Sequence, residues 1–342
     1  MLLQSLRLRI VWLPLFALLL AAVAIGLIVG QYPMNVSDVM ASLLRGPGMR
    51  LSTAHDFTAL DAVVWDIRLP RVLAAALVGA SLAAAGATYQ GLFRNPLVSP
   101  DILGVSAGAG LGATTGLFLG LSIIAIQMLS FIGGLTAVAC VYFISTSIQR
   151  HDTTLVLVLA GVAVGTFLGA GISLIKVLAD PYTQLPSVTF WLLGGLSSIT
   201  LRDVALILPC LVIGMIPLLL LRWRVNVMTL DDEEARALGV NTTNARVTFI
   251  ICATLLSSAA IAFTGIIAWV GLIIPHVARL LVGPDFARLL PASALVGAIF
   301  LILADTLARS MVSIELPLGV LTALVGAPFF LLLLARSGRQ ST

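Results

Sequence analysis

The stretch Met228-Thr-Leu-Asp-Asp-Glu-Glu-Ala-Arg-Ala-Leu-Gly-Val240 places four consecutive acids in a chain in which only 10% of the residues are charged. Uncharged apolar runs lie before it, at about 204–221, and after it, at about 247–267. Each run is close to the roughly 20 residues that a helix needs to cross a bilayer. This contrast predicts a chain of membrane-spanning helices joined by polar connections.

The acidic stretch itself predicts a short helix over about 229–239. Thr229 or Asp231 can cap its first turn, where the helix dipole favours acids, and Gly239 is a typical C-terminal stop. A self-capped amphipathic helix between two spans is expected to lie at the membrane surface and to contact a partner. The contact residues that we predict are Leu230, Asp231, Asp232, Glu233, Glu234, Ala235, Arg236, Ala237, Leu238 and Gly239.

Composition indicates an all-α polytopic membrane protein. Hydrophobic residues make up 60% of the 342 residues, and the mean hydropathy is +1.12. The apolar runs lack the alternating polar residues of a β-barrel, and the 30 glycines favour closely packed helices. The three cysteines lie inside apolar runs, with no spacing typical of a zinc or redox site. We expect no metal site and no nucleic-acid partner.

Charge-free segments predict ten spans in one membrane domain over residues 1–342. The first half, about 1–200, holds spans one to five, and the second half, about 201–342, holds spans six to ten. Residues Ala22 to Ala24 resemble a signal-peptide cleavage site, but the long apolar run favours an uncleaved first span. The expected spans are about 10–29, 72–93, two within 102–149 separated near 116–122, 153–175, 204–221, 247–267, 269–282, 289–305 and 316–335.

Two features relate the halves and orient them. Each half has a glycine-rich span that runs into a proline turn, at Asn95-Pro96 and at Pro275-His276, which is compatible with an inverted repeat. The positive-inside rule favours cytoplasmic termini in a bacterial inner membrane. With that orientation twelve cations are cytoplasmic (Arg7, Arg9, Arg94, Arg150, Arg222, Arg224, Arg236, Arg246, Arg279, Arg288, Arg336, Arg339) and seven are external (Arg45, Arg50, Arg68, Arg71, Lys176, Arg202, Arg309).

Three constellations occur in order along the chain. They are Arg68-Leu-Pro-Arg71 followed by the segment from Asn95 to Ala109, the segment from Gly265 to Arg279, and Ala304-Asp-Thr-Leu-Ala-Arg309 followed by the segment from Glu315 to Pro328. Together they resemble the permease subunits of the iron-chelate and vitamin B12 class of binding-protein-dependent ABC importers, over essentially the whole chain. The resemblance implies the type II permease fold with ten helices, a dimer with an identical or closely related second permease, a cytoplasmic ATPase dimer and a periplasmic binding protein.

The sequence contains no recognisable nucleotide-binding motif. Its only lysine is Lys176, so it has no Gly-x-x-x-x-Gly-Lys-Ser/Thr phosphate loop, and we expect ATP and Mg²⁺ on the partner ATPase rather than a cofactor here. The family places its coupling helix in the loop that holds the acidic stretch. The alternative is an interfacial helix without a partner.

The external arginines Arg68, Arg71 and Arg309 oppose the positive-inside trend. The resemblance implies that they pair with carboxylates on the binding protein, which would steer and orient docking. The alternative is that they snorkel at span ends. Local pairing with Arg309 is the simplest interpretation of Asp305 and Glu315.

The translocation pathway is expected at the glycine- and proline-interrupted segments. His276 suggests a metal or haem ligand, but it has no partner residues in sequence, so we favour a structural or hinge role. Lys176 and Arg202 can attract an anionic chelate at the outer mouth or anchor the helices at the interface. The predicted pathway and gate residues are Asn95, Pro96, Gly104, Ser106, Gly108, Lys176, Gly271, Pro275 and His276.

These observations predict a permease that imports a metal chelate. The segment Ser99 to Gly108 most resembles ferric-siderophore permeases, with haem and cobalamin next. One alternative is an ion-coupled secondary transporter, which usually carries mid-span carboxylates; here the acids fall in loops or at span ends. A membrane-embedded enzyme, the other alternative, needs a clustered nucleophile, base or metal set.

Overall fold

The computed structural model describes residues 2–46, 55–148, 153–230, 232–311 and 314–337, and these ranges are helical with no strand among them. A π-helical segment, Val63–Arg68, precedes α4, and a 3-10 turn, Pro100–Leu103, precedes α5. The α-helices are α1 (Leu2–Ile28), α2 (Val36–Arg45), α3 (His55–Ala62), α4 (Leu69–Leu92), α5 (Val105–Phe118), α6 (Ile123–Ser147), α7 (Thr153–Leu178), α8 (Gln184–Leu193), α9 (Leu201–Val227), α10 (Asp232–Ala237), α11 (Thr242–Thr264), α12 (Val270–Val282), α13 (Phe286–Ser310) and α14 (Leu318–Ser337).

Each predicted span coincides with a helix, which confirms the all-α fold. Seven helical segments of the described chain are long and apolar enough to cross a membrane: Val11–Ile28, Ala59–Leu92, Ile123–Ser147, Leu155–Leu178, Leu201–Val227, Thr242–Thr264 and Phe286–Ser310. The other three predicted spans are the shorter α5, α12 and α14. The uncharged run 102–149 breaks between Phe118 and Ile123, where the prediction placed it. The division into two related halves stays a prediction.

Helices α4 and α11 form the centre of the bundle. About 78% of the apolar window that contains α4 is buried and 72% of that in α11, against 22% for α1 and α7. Small residues explain the close packing of α4, because a side chain at Gly79 would overlap the carbonyl oxygen of Gly297 on α13. On the other side of the bundle, Gly108 of α5 meets Gly133 of α6 in the same way.

Three helices, α2, α3 and α8, lie in segments for which no helix was predicted from the sequence. Helix α2 begins at a capping box in which Asn35 and Asp38 exchange hydrogen bonds. Helix α8 carries Pro186 in its first turn, where a missing N–H costs no intrahelical hydrogen bond. Short amphipathic helices of this kind carry too few apolar residues to resemble spans.

Candidate functional site

The acidic stretch folds as α10, which is shorter than predicted. Helical structure begins at Asp232 and ends at Ala237, because Leu230 is still in a turn whose N–H donates to the carbonyl of Val227. The Thr229 hydroxyl donates to the carbonyl of Asn226 (2.6 Å), so it does not cap α10 as predicted. The alternative cap, Asp231, lies outside the described residues.

A glycine-based Schellman motif ends α10. Gly239 adopts a positive φ of 81°, its N–H donates to the carbonyl of Arg236, and the Val240 N–H donates to that of Ala235. Ala235 and Val240 are fully buried, whereas Glu233 and Glu234 are exposed. The helix therefore rests on the bundle by its apolar face and turns its acids outward.

Arg94, in the turn after α4, holds the segment that leads into α10. Its Nε and Nη2 atoms donate to the carbonyl of Met228 at 3.1 and 2.7 Å, and Nη2 also donates to the carbonyl of Leu230. Arg94 has a positive φ of 48°, which aims the side chain out of the α4 axis. The role of Arg94 was not predicted, although a single arginine that ends a long uncharged run was a visible signal in the sequence.

A second set of contacts joins α9 to α13 near the same place. The Asn226 side-chain amide donates to Asp285 (2.6 Å), and its oxygen accepts the N–H of Phe286 (2.8 Å). Asp285 also caps α13 by accepting the N–H of Ala287. Gly91 of α4 packs where a side chain would meet Val225 and Phe286. The ends of α4, α9 and α13 thus form one face from which α10 projects.

The proline in α12 leaves a carbonyl that α4 satisfies. Pro275 has no N–H, so the carbonyl of Gly271 loses its usual intrahelical donor. The Gln90 amide donates to the neighbouring carbonyl of Leu272 at 3.0 Å and reaches that of Gly271 at 3.5 Å. Arg279 donates to the oxygen of the same amide at 3.1 Å. Gln90 is a further residue that sequence reasoning did not identify.

A cavity of about 220 Å³ lies between α4, α11 and the start of α12. Two predicted pathway residues, Ser106 and Gly271, lie in its wall, and Ser106 donates to the carboxylate of Asp101. Gly104, with a φ of 77°, lets the chain turn from the 3-10 segment into α5. The polar residues in the wall are Ser99, Asp101, Ser106 and Ser257, and Trp269 also lies there.

The other predicted pathway residues do not meet at this cavity. Gly108 packs against α6, and Asn95 and Pro96 are exposed in the turn after α4. Pro275 is buried in α12, and the neighbouring His276 is half-buried. Lys176 lies in the last turn of α7. No cluster of three or more His, Cys, Asp or Glu that could hold a metal occurs in the described ranges.

The predicted docking arginines lie inside the protein rather than on its surface. Arg68 is 2% exposed, Arg71 5% and Arg309 8%. Arg68 caps the C-terminal end of α1 by donating to the carbonyls of Leu27 (2.8 Å), Ile28 (2.6 Å) and Tyr32 (2.5 Å). Arg309 donates to the carbonyl of Gly26. Arginine is suited to this role because one planar guanidinium offers five donors.

Arg71 forms the centre of a buried ion cluster. Its guanidinium contacts Asp305 at 2.6 Å and Glu315 at 2.7 Å, and Asp305 also lies 3.4 Å from Arg309. The expected pairing of Asp305 with Arg309 is present, whereas Glu315 pairs with Arg71 instead. The exposure on which the docking argument depended is absent, and docking through these arginines stays a prediction.

Three glycines close the junction of α8, α11 and α14. A side chain at Gly194, Gly265 or Gly319 would overlap a backbone carbonyl of another segment in the junction. Hydrogen bonds from Gly195 to Thr264 (2.8 Å) and from Leu318 to Gly194 (2.9 Å) join the three segments. A cavity of about 420 Å³ beside the junction has Glu315 in its wall, and it also includes hydroxyls of Ser187, Ser197, Ser198 and Thr264.

Comparison with known proteins assigns this architecture. The FecCD transport family matches residues 18–336. The chain is 44% identical to the cobalamin import permease BtuC of Halobacterium salinarum over 80% of this chain and 73% of the relative. It is 37% identical to the molybdate import permease MolB of Haemophilus influenzae over 92% and 91%, respectively.

A solved structure of a metal-chelate type ABC transporter in an inward-facing conformation superposes with a TM-score of 0.84. It is 35% identical in sequence, and the match covers 95% of this chain and 98% of that one. The family match and this superposition include α10, the ion cluster and the proline-containing α12. The chain therefore belongs to the FecCD transport family, as a permease subunit of an ABC importer.

Proposed function

We propose that this permease carries an iron chelate, with a ferric siderophore as the first choice and haem or cobalamin next, from a periplasmic binding protein into the cytoplasm. It works as a dimer with a second permease, identical or closely related, in the inner membrane with both termini cytoplasmic. An ATPase dimer supplies the energy by binding and hydrolysing Mg²⁺-ATP, and α10 is its contact.

The observation that supports the ATPase contact is the construction of α10. Ala235 and Val240 are buried, and Arg94 donates hydrogen bonds to the segment before the helix. Glu233 and Glu234 are nevertheless exposed. Leu238, beside the acids, is 60% exposed. An exposed apolar residue beside charges, on a firmly anchored element, is typical of a surface that binds another protein.

Charge reversal and helix disruption test this contact. We expect Glu233→Arg with Glu234→Arg, or Ala235→Pro, to abolish co-purification of the ATPase and uptake, while the permease stays in the membrane. Proline in a helix interior costs about 3 kcal/mol, so α10 should not survive it. Arg222→Glu reverses an exposed charge on the neighbouring α9 and serves as the control. Normal assembly and uptake in the Ala235→Pro variant would refute the contact.

Uptake measurements test the substrate and the mechanism together. Membrane vesicles that contain the complete importer are given a ⁵⁵Fe-loaded siderophore, haemin or cyanocobalamin, each with and without ATP. The proposal expects ATP-dependent uptake of the siderophore and competition only by related chelates. Uptake that follows an ion gradient without the ATPase would instead indicate a secondary transporter.

Docking of the binding protein through Arg68, Arg71 and Arg309 is a separate part of the proposal. Because Arg71 and Arg309 are paired inside the permease, such docking requires their release from Asp305 and Glu315. The association rate of purified binding protein with the importer in lipid tests this step. A wild-type rate for Arg309→Glu at low salt, where attraction between the two proteins is least screened, would refute it.

A further inference from the structure

The end of α4 is attached both to the segment before α10, the proposed ATPase contact, and to α12. Gln90, in the last turn of α4, holds the carbonyls of α12 beside Pro275. Arg94, four residues later, holds the carbonyls of Met228 and Leu230 in front of α10. Arg94 lies two residues beyond the end of α4 at Leu92, and its N–H donates to the carbonyl of Gly91, so both attachments belong to one short piece of chain.

The contact at Gln90 replaces a hydrogen bond that α12 itself lacks. Pro275 deprives the carbonyl of Gly271 of its intrahelical donor, so this part of α12 depends on a donor from another helix. Gln90 is 2% exposed, and its side chain both donates to α12 and accepts from Arg279. Gly86, one turn earlier, allows α12 to approach because a side chain there would overlap the Gly271 carbonyl. The first turns of α12 are therefore fixed to α4 as well as held within their own helix.

Arg94 makes a comparable contact with the backbone of the segment that precedes α10. The guanidinium donates to two carbonyls, two residues apart, in the turn that leads into α10. A charged donor to backbone carbonyls holds the main chain whatever side chains the segment carries. A shift of α10 must therefore either carry the end of α4 with it or break these hydrogen bonds.

We propose that the Gln90–Arg94 segment is a mechanical link that transmits a displacement of α10 to helix α12 at Pro275, with Arg94 and Gln90 as its positioning residues. The proposal depends on the proposed contact between α10 and an ATPase. Helix α12 contributes Gly271 and Leu272 to the wall of the cavity that holds Asp101 and Ser106. The link thus joins the surface that faces ATP hydrolysis to a cavity between the helices.

Distance measurements in the complete complex test the link. The free cysteines Cys140, Cys210 and Cys252 are first replaced by alanine. Spin labels are then placed at two well-exposed positions, Phe143 of α6 and Leu280 of α12. The distance between them is measured by pulsed electron paramagnetic resonance in nanodiscs, without nucleotide and after trapping with Mg²⁺-ATP and vanadate.

We expect trapping to change the Phe143–Leu280 distance in the otherwise unchanged protein. Arg94→Ala should reduce that change by at least half while the ATPase still co-purifies. Gln90→Leu removes both the donor to the α12 carbonyls and the acceptor of Arg279, which also belongs to α12, and it should have the same effect. Arg94→Lys retains one cationic donor and should restore part of the change. Arg222→Ala removes an exposed arginine of α9 as the matched control and should leave the change intact.

Two results would overturn the link. One is an unchanged distance on trapping in the parent protein, since α12 would then not respond to the ATPase. The other is a parental distance change in both Arg94→Ala and Gln90→Leu. A parent protein that binds no ATPase would refute the proposed function instead, and co-purification before labelling distinguishes that failure from a failure of the link.

Discussion

Replacing Arg71 with methionine should destabilise the protein far more than replacing the neighbouring Glu315 with glutamine. Methionine has a length similar to the arginine stem but donates no hydrogen bond. The substitution removes contacts to Asp305 at 2.6 and 3.4 Å and to Glu315 at 2.7 and 3.0 Å. It leaves Asp305, whose side chain is 2% exposed, with the 3.4 Å contact to Arg309.

The magnitude follows from the different exposure of the two carboxylates. Removing one partner of a buried ion pair costs about 3–5 kcal/mol, because the remaining charge is left without compensation. The Glu315 side chain is 32% exposed and can be hydrated, so its ion pair with Arg71 contributes about 1 kcal/mol or less to stability. We therefore expect a loss of about 3–5 kcal/mol in the free energy of unfolding for Arg71→Met and about 1 kcal/mol for Glu315→Gln.

Equilibrium unfolding in mixed detergent micelles, followed by tryptophan fluorescence, measures both losses. The pair Arg71→Met and Asp305→Leu, made singly and together, gives the interaction energy by a double-mutant cycle. We expect the double variant to lose about 2–3 kcal/mol less than the sum of the single variants, the upper range for residues in one network. Additive losses, or a loss for Arg71→Met no larger than that for Glu315→Gln, would show that the cluster does not hold α4 to α13.

Three further predictions use the same unfolding assay or amide exchange. Gly86→Ala should lower the free energy of unfolding by about 1–3 kcal/mol, because the new side chain would overlap the Gly271 carbonyl. Gly169→Ala in α7 meets nothing within 4 Å and should leave the free energy of unfolding unchanged or raise it. Equal losses in the two variants would contradict this. Tyr89→Phe should cost about 0.5–1.5 kcal/mol, because it removes the 2.7 Å hydrogen bond to Thr254, and no measurable loss would contradict the contact. Hydrogen bonds from Thr183 and Tyr182 hold the pKa of Asp180 below its ordinary value of 3.8. The amide protons of this turn should therefore stay protected as the pH falls to 3.8 and lose protection only as the pH falls through the lowered pKa. Loss of protection at higher pH would contradict the contacts.

The positions of the spans could be predicted because a bilayer penalises charge along about 20 residues, and that penalty is visible in any window of the sequence. The break between α5 and α6 could be predicted from length alone, since an uncharged run of twice the required length must turn once. Helices α2 and α8 could not be predicted in this way. They have 10 residues each, and a charge-free window cannot reveal helices that do not cross the bilayer.

The acidic helix was visible in the sequence, but its attachments were not. First-turn acids and a terminal glycine depend on residues within one stretch, so α10 could be identified before the structure was known, although the predicted Thr229 cap was wrong. Arg94 meets Met228 across 134 residues and Gln90 meets Leu272 across 182. No local pattern encodes such pairs, because they result from the packing of α4 against helices far along the chain.

The buried arginines also change the topology argument. Arg68, Arg71 and Arg309 were counted among seven external cations, and they weakened the positive-inside bias. The structure shows that their charge is compensated within the protein by Asp305, Glu315 and the carbonyl end of α1. Removing these three from seven leaves four external loop cations against twelve cytoplasmic ones. Since the rule concerns charges in loops near span ends, the corrected count favours cytoplasmic termini more strongly. The same compensation supplies a reason for the three arginines that needs no external partner.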